Sequence, residues 1–158
     1  MKTPQIIDQP FLDRISLQAK ESPRKRKNFN FHGSENDLSH RLLNAIEPGT
    51  YIPPHRHLDP NKDESMVMVR GKMGAVFFDA DGNIAQTAIL SAGGPVGVIN
   101  IPYGTFHSLV ALASDTVFFE SKAGPYVVLT AEERASWAPQ EGEAGAAGYL
   151  AGLESLFS

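Results

Sequence analysis

Alternation of apolar and polar side chains dominates the middle of this chain, and a helical period appears only near its two ends. Phe11, Leu12, Ile15 and Ala19 recur at spacings that place them on one helical face, the stripe of a surface helix packed on a core. Asp8 stands where an N-cap is needed and Pro10 falls in the first turn, where a missing N–H costs little. Pro23 ends that helix. Asn28 to His32 alternates strictly, with Phe29 and Phe31 on one face and Asn28, Asn30 and His32 on the other. The simpler reading is an edge strand with a polar outer face. The sharper one is a polar strand lining the mouth of a pocket. His40 is read as an ordinary strand-start histidine.

Further strands follow at short intervals. Residues 41–47 form one, closed by the turn Pro48-Gly49. Residues 64–70 form the next, with Glu64, Met66, Met68 and Arg70 on one face and Ser65, Val67 and Val69 on the other, as in a strand buried on both sides. Residues 71–74 read as a turn, 75–78 as a strand, 79–82 as a hairpin turn and 84–90 as the returning strand. Residues 98–101, 109–113 and 116–120 complete the series. Many short strands with turn signals between them predict a barrel or sandwich. Past residue 129 the composition changes. Thr130 to Glu133 has the form of a capping box, Trp137-Ala138-Pro139 reads as a packed anchor, and Tyr149, Leu150, Leu153, Leu156 and Phe157 make a second helical stripe.

Composition narrows the class. A chain of 158 residues with 42% hydrophobic and 20% charged residues is an ordinary globular domain. A net charge of −4 gives no general attraction to nucleic acid or to a membrane surface. Nothing approaches the roughly 20 apolar residues that span a bilayer, and the first residues lack the pattern of a secretory signal. The expected location is cytoplasmic. The basic run Arg24-Lys25-Arg26-Lys27 reads first as a solvated turn. Its alternative is a contact for phosphate or an acidic sugar, and no aromatic-interleaved basic face accompanies it to suggest nucleic acid.

The candidate chemistry lies between Gly49 and His107. His55 and His57 are two apart after Pro53-Pro54, so on extended chain both imidazoles point to one side. Glu64 would put a carboxylate on an apolar strand face, which is costly without a partner. His107 follows the turn-like Pro102-Tyr103-Gly104. Nitrogen and oxygen donors of this kind suit Zn, Fe, Mn, Co or Ni. The absence of cysteine excludes thiolate sites and cysteine nucleophiles.

The order of these residues resembles the two motifs of the cupin superfamily. Gly49, His55-x-His57, Glu64 and Gly71 match the first, with a longer turn-rich stretch, 58–63, between His57 and Glu64. Pro102, Gly104 and His107 match the second, in which Ala111 replaces the usual asparagine and Gly97 is one residue too close to Pro102. The resemblance implies an all-β fold, a double-stranded β-helix or jelly-roll barrel with short N-terminal and C-terminal helices. It also implies His55, His57, Glu64 and His107 as ligands of one divalent transition metal. A narrower resemblance, to the WbuC family of cupin-fold metalloproteins, rests on four stretches. These are Ser22-Pro23-Arg24 with Asn28 to His32, Arg41 to Asn44 leading to His55-Arg56-His57, the Asp-Pro pair before Glu64, and Trp137-Ala138-Pro139 with Glu141-Gly142. That family is associated with bacterial surface-polysaccharide gene clusters.

These readings divide the chain into a helix and basic arm over 1–32, a barrel over 33–129 and a helical extension over 130–158, all one structural domain. The expected function is metal-dependent work on a small, sugar-related or anionic molecule, as an isomerase, epimerase or Fe(II) dioxygenase. The alternative is a non-catalytic ligand-binding or regulatory module. Tyr51, Met66, Met68, Arg70, Phe118, Asn28 and Asn30 are the residues expected around the ligand. A homodimer is expected, because barrels of this kind leave sheet edges that need cover.

Overall fold

Two antiparallel sheets face each other in the computed structural model, which describes residues 3–158. The elements run α1 (Gln9–Glu21), β1 (Arg26–Asn30), β2 (Ser39–Ile46), β3 (Glu64–Arg70), β4 (Lys72–Phe78), β5 (Ile84–Ser91), β6 (Val98–Ile101), β7 (Phe106–Ala111), β8 (Thr116–Ala123) and α2 (Ala146–Ser155). One sheet has five strands in the order β1-β2-β8-β3-β6. The other has three, β5-β4-β7. The β-rich fold with a helix near each end is what the patterning predicted, and the barrel is what the cupin resemblance implied. No helix among the described residues is long and apolar enough to cross a membrane.

Alternation assigns each strand face to a layer. Ile46, Met66, Met68, Met73, Ala75, Leu90, Leu109 and Phe118 fill the space between the sheets. On β2 the opposite face, Leu43 and Ala45, meets α1 through Leu12, Ile15 and Ala19. Asp8 caps that helix by accepting from the Phe11 N–H at 2.9 Å. Full burial of Leu12 and of Ile15 favours docking by about 1.5–3 kcal/mol each. On the other side, Leu150 and Leu153 of α2 cover Val76, Phe78, Phe106 and Val110 of the three-stranded sheet. The terminal stripe is thus used within the chain. Gly74 leaves room for Phe157, since a Cβ there would come within 2.4 Å of that ring.

Beyond shifted strand ends, as at β1 and β7, the structure differs from the sequence expectation in three places. First, β3 is buried on one face only, and Val67 and Val69 are 40% and 39% exposed. Second, residues 72–74 continue a strand. Only Gly71 makes the turn, at φ +80° and against the Thr116 backbone, where a side chain would be strained and would collide. Third, the Thr130–Glu133 box starts no helix. Glu133 accepts from the Thr130 N–H at 2.9 Å, but the segment forms a single turn and then pairs its backbone with residues 54–56. Trp137 follows, resting on Phe78 and Phe106 with its indole N–H donating to the Ala80 carbonyl at 3.2 Å.

Candidate metal centre

Local backbone geometry brings the histidines of the two motifs together. After Pro53-Pro54 the chain is extended, and His55 pairs with His107 in an isolated antiparallel bridge. Gly104, at φ +79°, donates its N–H to the His57 carbonyl. The stretch 58–63 loops out, held by Asp59, which accepts from the Asn61 N–H at 2.9 Å. Glu64 then enters β3 with its side chain inward and 3% exposed.

Donor atoms of His55, His57 and Glu64 all lie within 4.8 Å of one another. Two donors bound to one ion at about 2.0–2.2 Å cannot be more than about 4.4 Å apart, so small side-chain shifts close this cluster on an ion. His107 joins from the far side of the carboxylate. Its Nε2 is 2.8 Å from Glu64 Oε2, although it falls outside the mutual cluster of the other three. His57 Nε2 is 3.2 Å from Glu64 Oε1.

Two observations test whether these residues fit a metal. His55 Nδ1 lies 3.0 Å from the Pro53 carbonyl, and His107 Nδ1 lies 2.9 Å from the Thr105 carbonyl. A carbonyl only accepts, so each Nδ1 carries a proton and Nε2 is the ring atom left to face an ion. His55 presents a lone pair there, while His107 Nε2 already meets Glu64 Oε2 at 2.8 Å and turns its lone pair to an ion once it gives up the proton held between them. Meanwhile Glu64 Oε2 is buried without an acceptable hydrogen bond, despite His107 beside it. The His55 lone pair, the His57 ring and the buried Glu64 carboxylate, with His107 against its other oxygen, are a donor set that a cation completes. The residues fit.

Burial and His107 push the His55 pKa down to about 3, so this ring stays neutral. Burial alone would raise the Glu64 carboxyl, but His107, His57 and Lys122 hold it well below the ordinary carboxylate range. Burial opposes charge on His107, and the Glu64 carboxylate overcomes it and raises that pKa.

The centre opens into a cavity of about 590 Å³ on the inner face of the five-stranded sheet. Met66, Phe118, Asn28 and Asn30 line it, as does His32. The edge strand β1 therefore turns its polar face to the cavity and its Phe29 face to α1. His32 and His40 are both buried, with rings stacked 4.0 Å apart at the rim.

Other expected ligand neighbours lie elsewhere. Met68 is a core residue. Tyr51 packs near Tyr149 and donates to the Pro139 carbonyl at 2.6 Å. Arg70 points away from the cavity because a bulge between Met68 and Arg70 shifts the pairing with β8. Its guanidinium instead holds Asp13 at 2.6 Å and Ser16 at 2.8 Å, both on α1. In the basic run, Arg24 and Arg26 both reach Glu141 at 2.8 Å, and Lys25 donates to the Lys20 carbonyl.

Sequence reasoning missed Asn44, Glu120 and Lys122, all in the cavity wall. Asn44 donates to Glu120 Oε2 at 2.8 Å, and Lys122 Nζ lies 2.8 Å from Glu64 Oε1 and 3.3 Å from Glu120 Oε1. The signal was present, since Phe118, Glu120 and Lys122 share one strand face. Burial and the nearby Glu64 charge raise the Glu120 pKa. Burial works against the Lys122 charge, but Glu64 and Glu120 raise its pKa.

Comparison with solved structures places this architecture among cupins. KdgF from Halomonas sp. is similar at a TM-score of 0.51, with 18% identity over 67% of this chain and 84% of that one. A cupin superfamily protein from Desulfitobacterium hafniense DCB-2 gives 0.53, with 16% identity over 76% and 93%. A conserved protein of unknown function from Streptococcus pyogenes gives 0.54, with 12% identity over 80% and 93%. No curated protein matches the chain. In sequence, residues 7–90 match the family model described as a domain of unknown function, DUF6016. The chain thus belongs to the DUF6016 family, and its barrel has the cupin fold.

Proposed function

We propose that this protein binds a divalent metal through His55, His57, Glu64 and His107 and works on a small polar molecule in the adjoining cavity. The observation that carries this reading is the cluster of His55, His57 and Glu64 donor atoms within 4.8 Å of one another, with His107 Nε2 against the buried Glu64 Oε2. When bound, such an ion supplies Lewis acidity, polarising a carbonyl or lowering the pKa of a water.

The chain's own residues do the rest. The Pro53 and Thr105 carbonyls fix the two rings, as outer hydrogen bonds do for metal-binding histidines. Met66 and Phe118 give the cavity an apolar wall. Asn28, Asn30 and Asn44 offer amides that both donate and accept, which suits a ligand rich in hydroxyl groups. The volume falls within the usual range for small-molecule sites. The WbuC-like stretches point the same way, toward a sugar-related substrate of surface-polysaccharide metabolism. Isomerisation or epimerisation is the reaction class this reading assigns.

Metal analysis of protein purified without added metal is the first test, followed by a panel of sugars, sugar acids and sugar nucleotides. About one ion per chain is expected for a single four-ligand centre, and its absence would reject the centre. Turnover on the panel makes the protein an enzyme. Binding without turnover makes it a ligand-binding module. Iron together with oxygen consumption would show a dioxygenase in place of an isomerase.

A further inference from the structure

An ammonium group stands where the metal centre meets the cavity. Lys122 Nζ is 2.8 Å from Glu64 Oε1, 3.3 Å from Glu120 Oε1 and 3.4 Å from His57 Nε2. Two carboxylates therefore share one ammonium, and with the imidazoles in the neutral form that ligation requires these protein groups sum to one negative charge. A divalent ion on Glu64 turns that into one net positive charge. The ion also repels the ammonium from the oxygen they would share. Lysine has a flexible four-carbon stem, so its head group can withdraw. Glu120, two residues earlier on the same face of β8 and held by Asn44, remains as its partner. The ammonium then borders the open side of the centre.

We propose that Lys122 is the anion anchor of the metal-loaded cavity, and that the ligand is a monocarboxylate whose carboxylate lies between the metal position and the Lys122 ammonium. This inference rests on the metal-centre reading above. A single positive charge in a low-dielectric cavity is balanced by one negative charge, and a neutral ligand would leave it unpaired. A phosphate monoester carries about −1.5 to −2 near neutral pH and overshoots that balance. At the rim, Arg24 and Arg26 are already paired with Glu141; Lys27 also lines the cavity, but Lys122 is the cation set against the Glu64 carboxylate.

The test uses the Co(II)-loaded protein, whose visible spectrum reports on ligands at the metal, titrated with acetate and with its neutral isostere acetamide. Acetate is expected to perturb the wild-type spectrum at lower concentration than acetamide. Lys122→Met should raise the apparent Kd for acetate about tenfold or more, the scale of a lost charge-assisted contact, with acetamide unchanged. Lys122→Arg, which keeps the charge, should stay nearer the wild type. Calorimetry should show Lys122→Met binding the metal at least as tightly as the wild type. Unchanged acetate binding in Lys122→Met would overturn the proposal. Weaker metal binding in that variant would too, since the lysine would then be a prop for Glu64. Failure of the wild type to take up Co(II) would remove the metal centre itself, and that result is read before any anion is added.

Discussion

His55 and His107 are joined backbone to backbone, each N–H donating to the other's carbonyl, at 3.1 and 2.9 Å. Their ring centroids lie 4.5 Å apart. Two motifs far apart in sequence thus meet through main-chain bonds that no side-chain substitution removes. His57 is held differently. Its ring is tied to the site through Glu64 and Lys122.

His57→Ala should therefore leave the barrel folded and remove most of the bound metal. Circular dichroism and metal content check the two halves of this statement, and full occupancy in the variant would exclude His57 as a ligand. In the wild type, metal affinity should fall as pH drops and His107, whose pKa Glu64 raises above 6.5 against its burial, takes a proton, because a protonated imidazole does not ligate.

Glu141 gives a separate acid dependence. Hydrogen bonds from Arg24 and then Arg26 lower its pKa from 4.5 to about 2. A depressed carboxylate stabilises the fold above its unfolded value, and that contribution disappears as pH falls through the folded one. The Glu141 contribution should be whole above about pH 4.5–5 and gone near pH 2. Glu141→Gln should be less stable at pH 7, and its deficit should shrink across that window. Denaturant unfolding at pH 7, 4 and 2.5 measures this; a deficit constant with pH would show that the ion pair contributes nothing.

Arg70→Met removes bonds to Asp13 and Ser16 without touching the cavity. A loss of about 1–3 kcal/mol in stability is expected for hydrogen bonds to a charged group at a half-buried site, with metal content unchanged. Reduced metal or ligand binding would return Arg70 to the cavity wall.

Gly74→Ala should destabilise by about 1–3 kcal/mol through overpacking against Phe157. Phe157→Ala opens that space, so the double variant should lose less than the two single losses combined. Strict additivity would mean that Phe157 does not press on this position.

A homodimer is expected in solution. β6 ends the five-stranded sheet, and Val67 and Val98, paired in register beside that edge, are exposed. Light scattering at micromolar concentration should give twice the chain mass; the mass of a single chain would refute it.

Much of this architecture was legible in the sequence because a strand repeats every two residues. Counting put Met66 on the Glu64 face and Asn28 with Asn30 on one face of β1, but it could not say that this face of β1 meets the cavity rather than water. Counting failed at Arg70, where the bulge after Met68 resets the phase and nothing in the residues themselves marks it. Tyr51 offered no strand to count along, and its hydroxyl meets a carbonyl from the distant segment at Pro139. The Thr130 box misled because its capping bond is real while the following residues, ending in Trp137-Ala138-Pro139, do not continue a helix. Lys122 and Glu120 were overlooked for a different reason. Charged residues late in a strand usually face water, and the face shared with Phe118 was the one hint; pairing with β3 sets Glu120 opposite Met66 and brings Lys122 to Glu64.

The chain has one tryptophan, and its location decides what intrinsic fluorescence reports. Trp137 rests on Phe78, Phe106 and Gly82 beneath the C-terminal segment and is absent from the cavity wall. Its emission is accordingly a gauge of whether that segment stays docked on the three-stranded sheet. A titrant that fills the cavity without loosening that segment will leave the emission unchanged, and a silent fluorescence titration of this protein cannot be scored as a failure to bind.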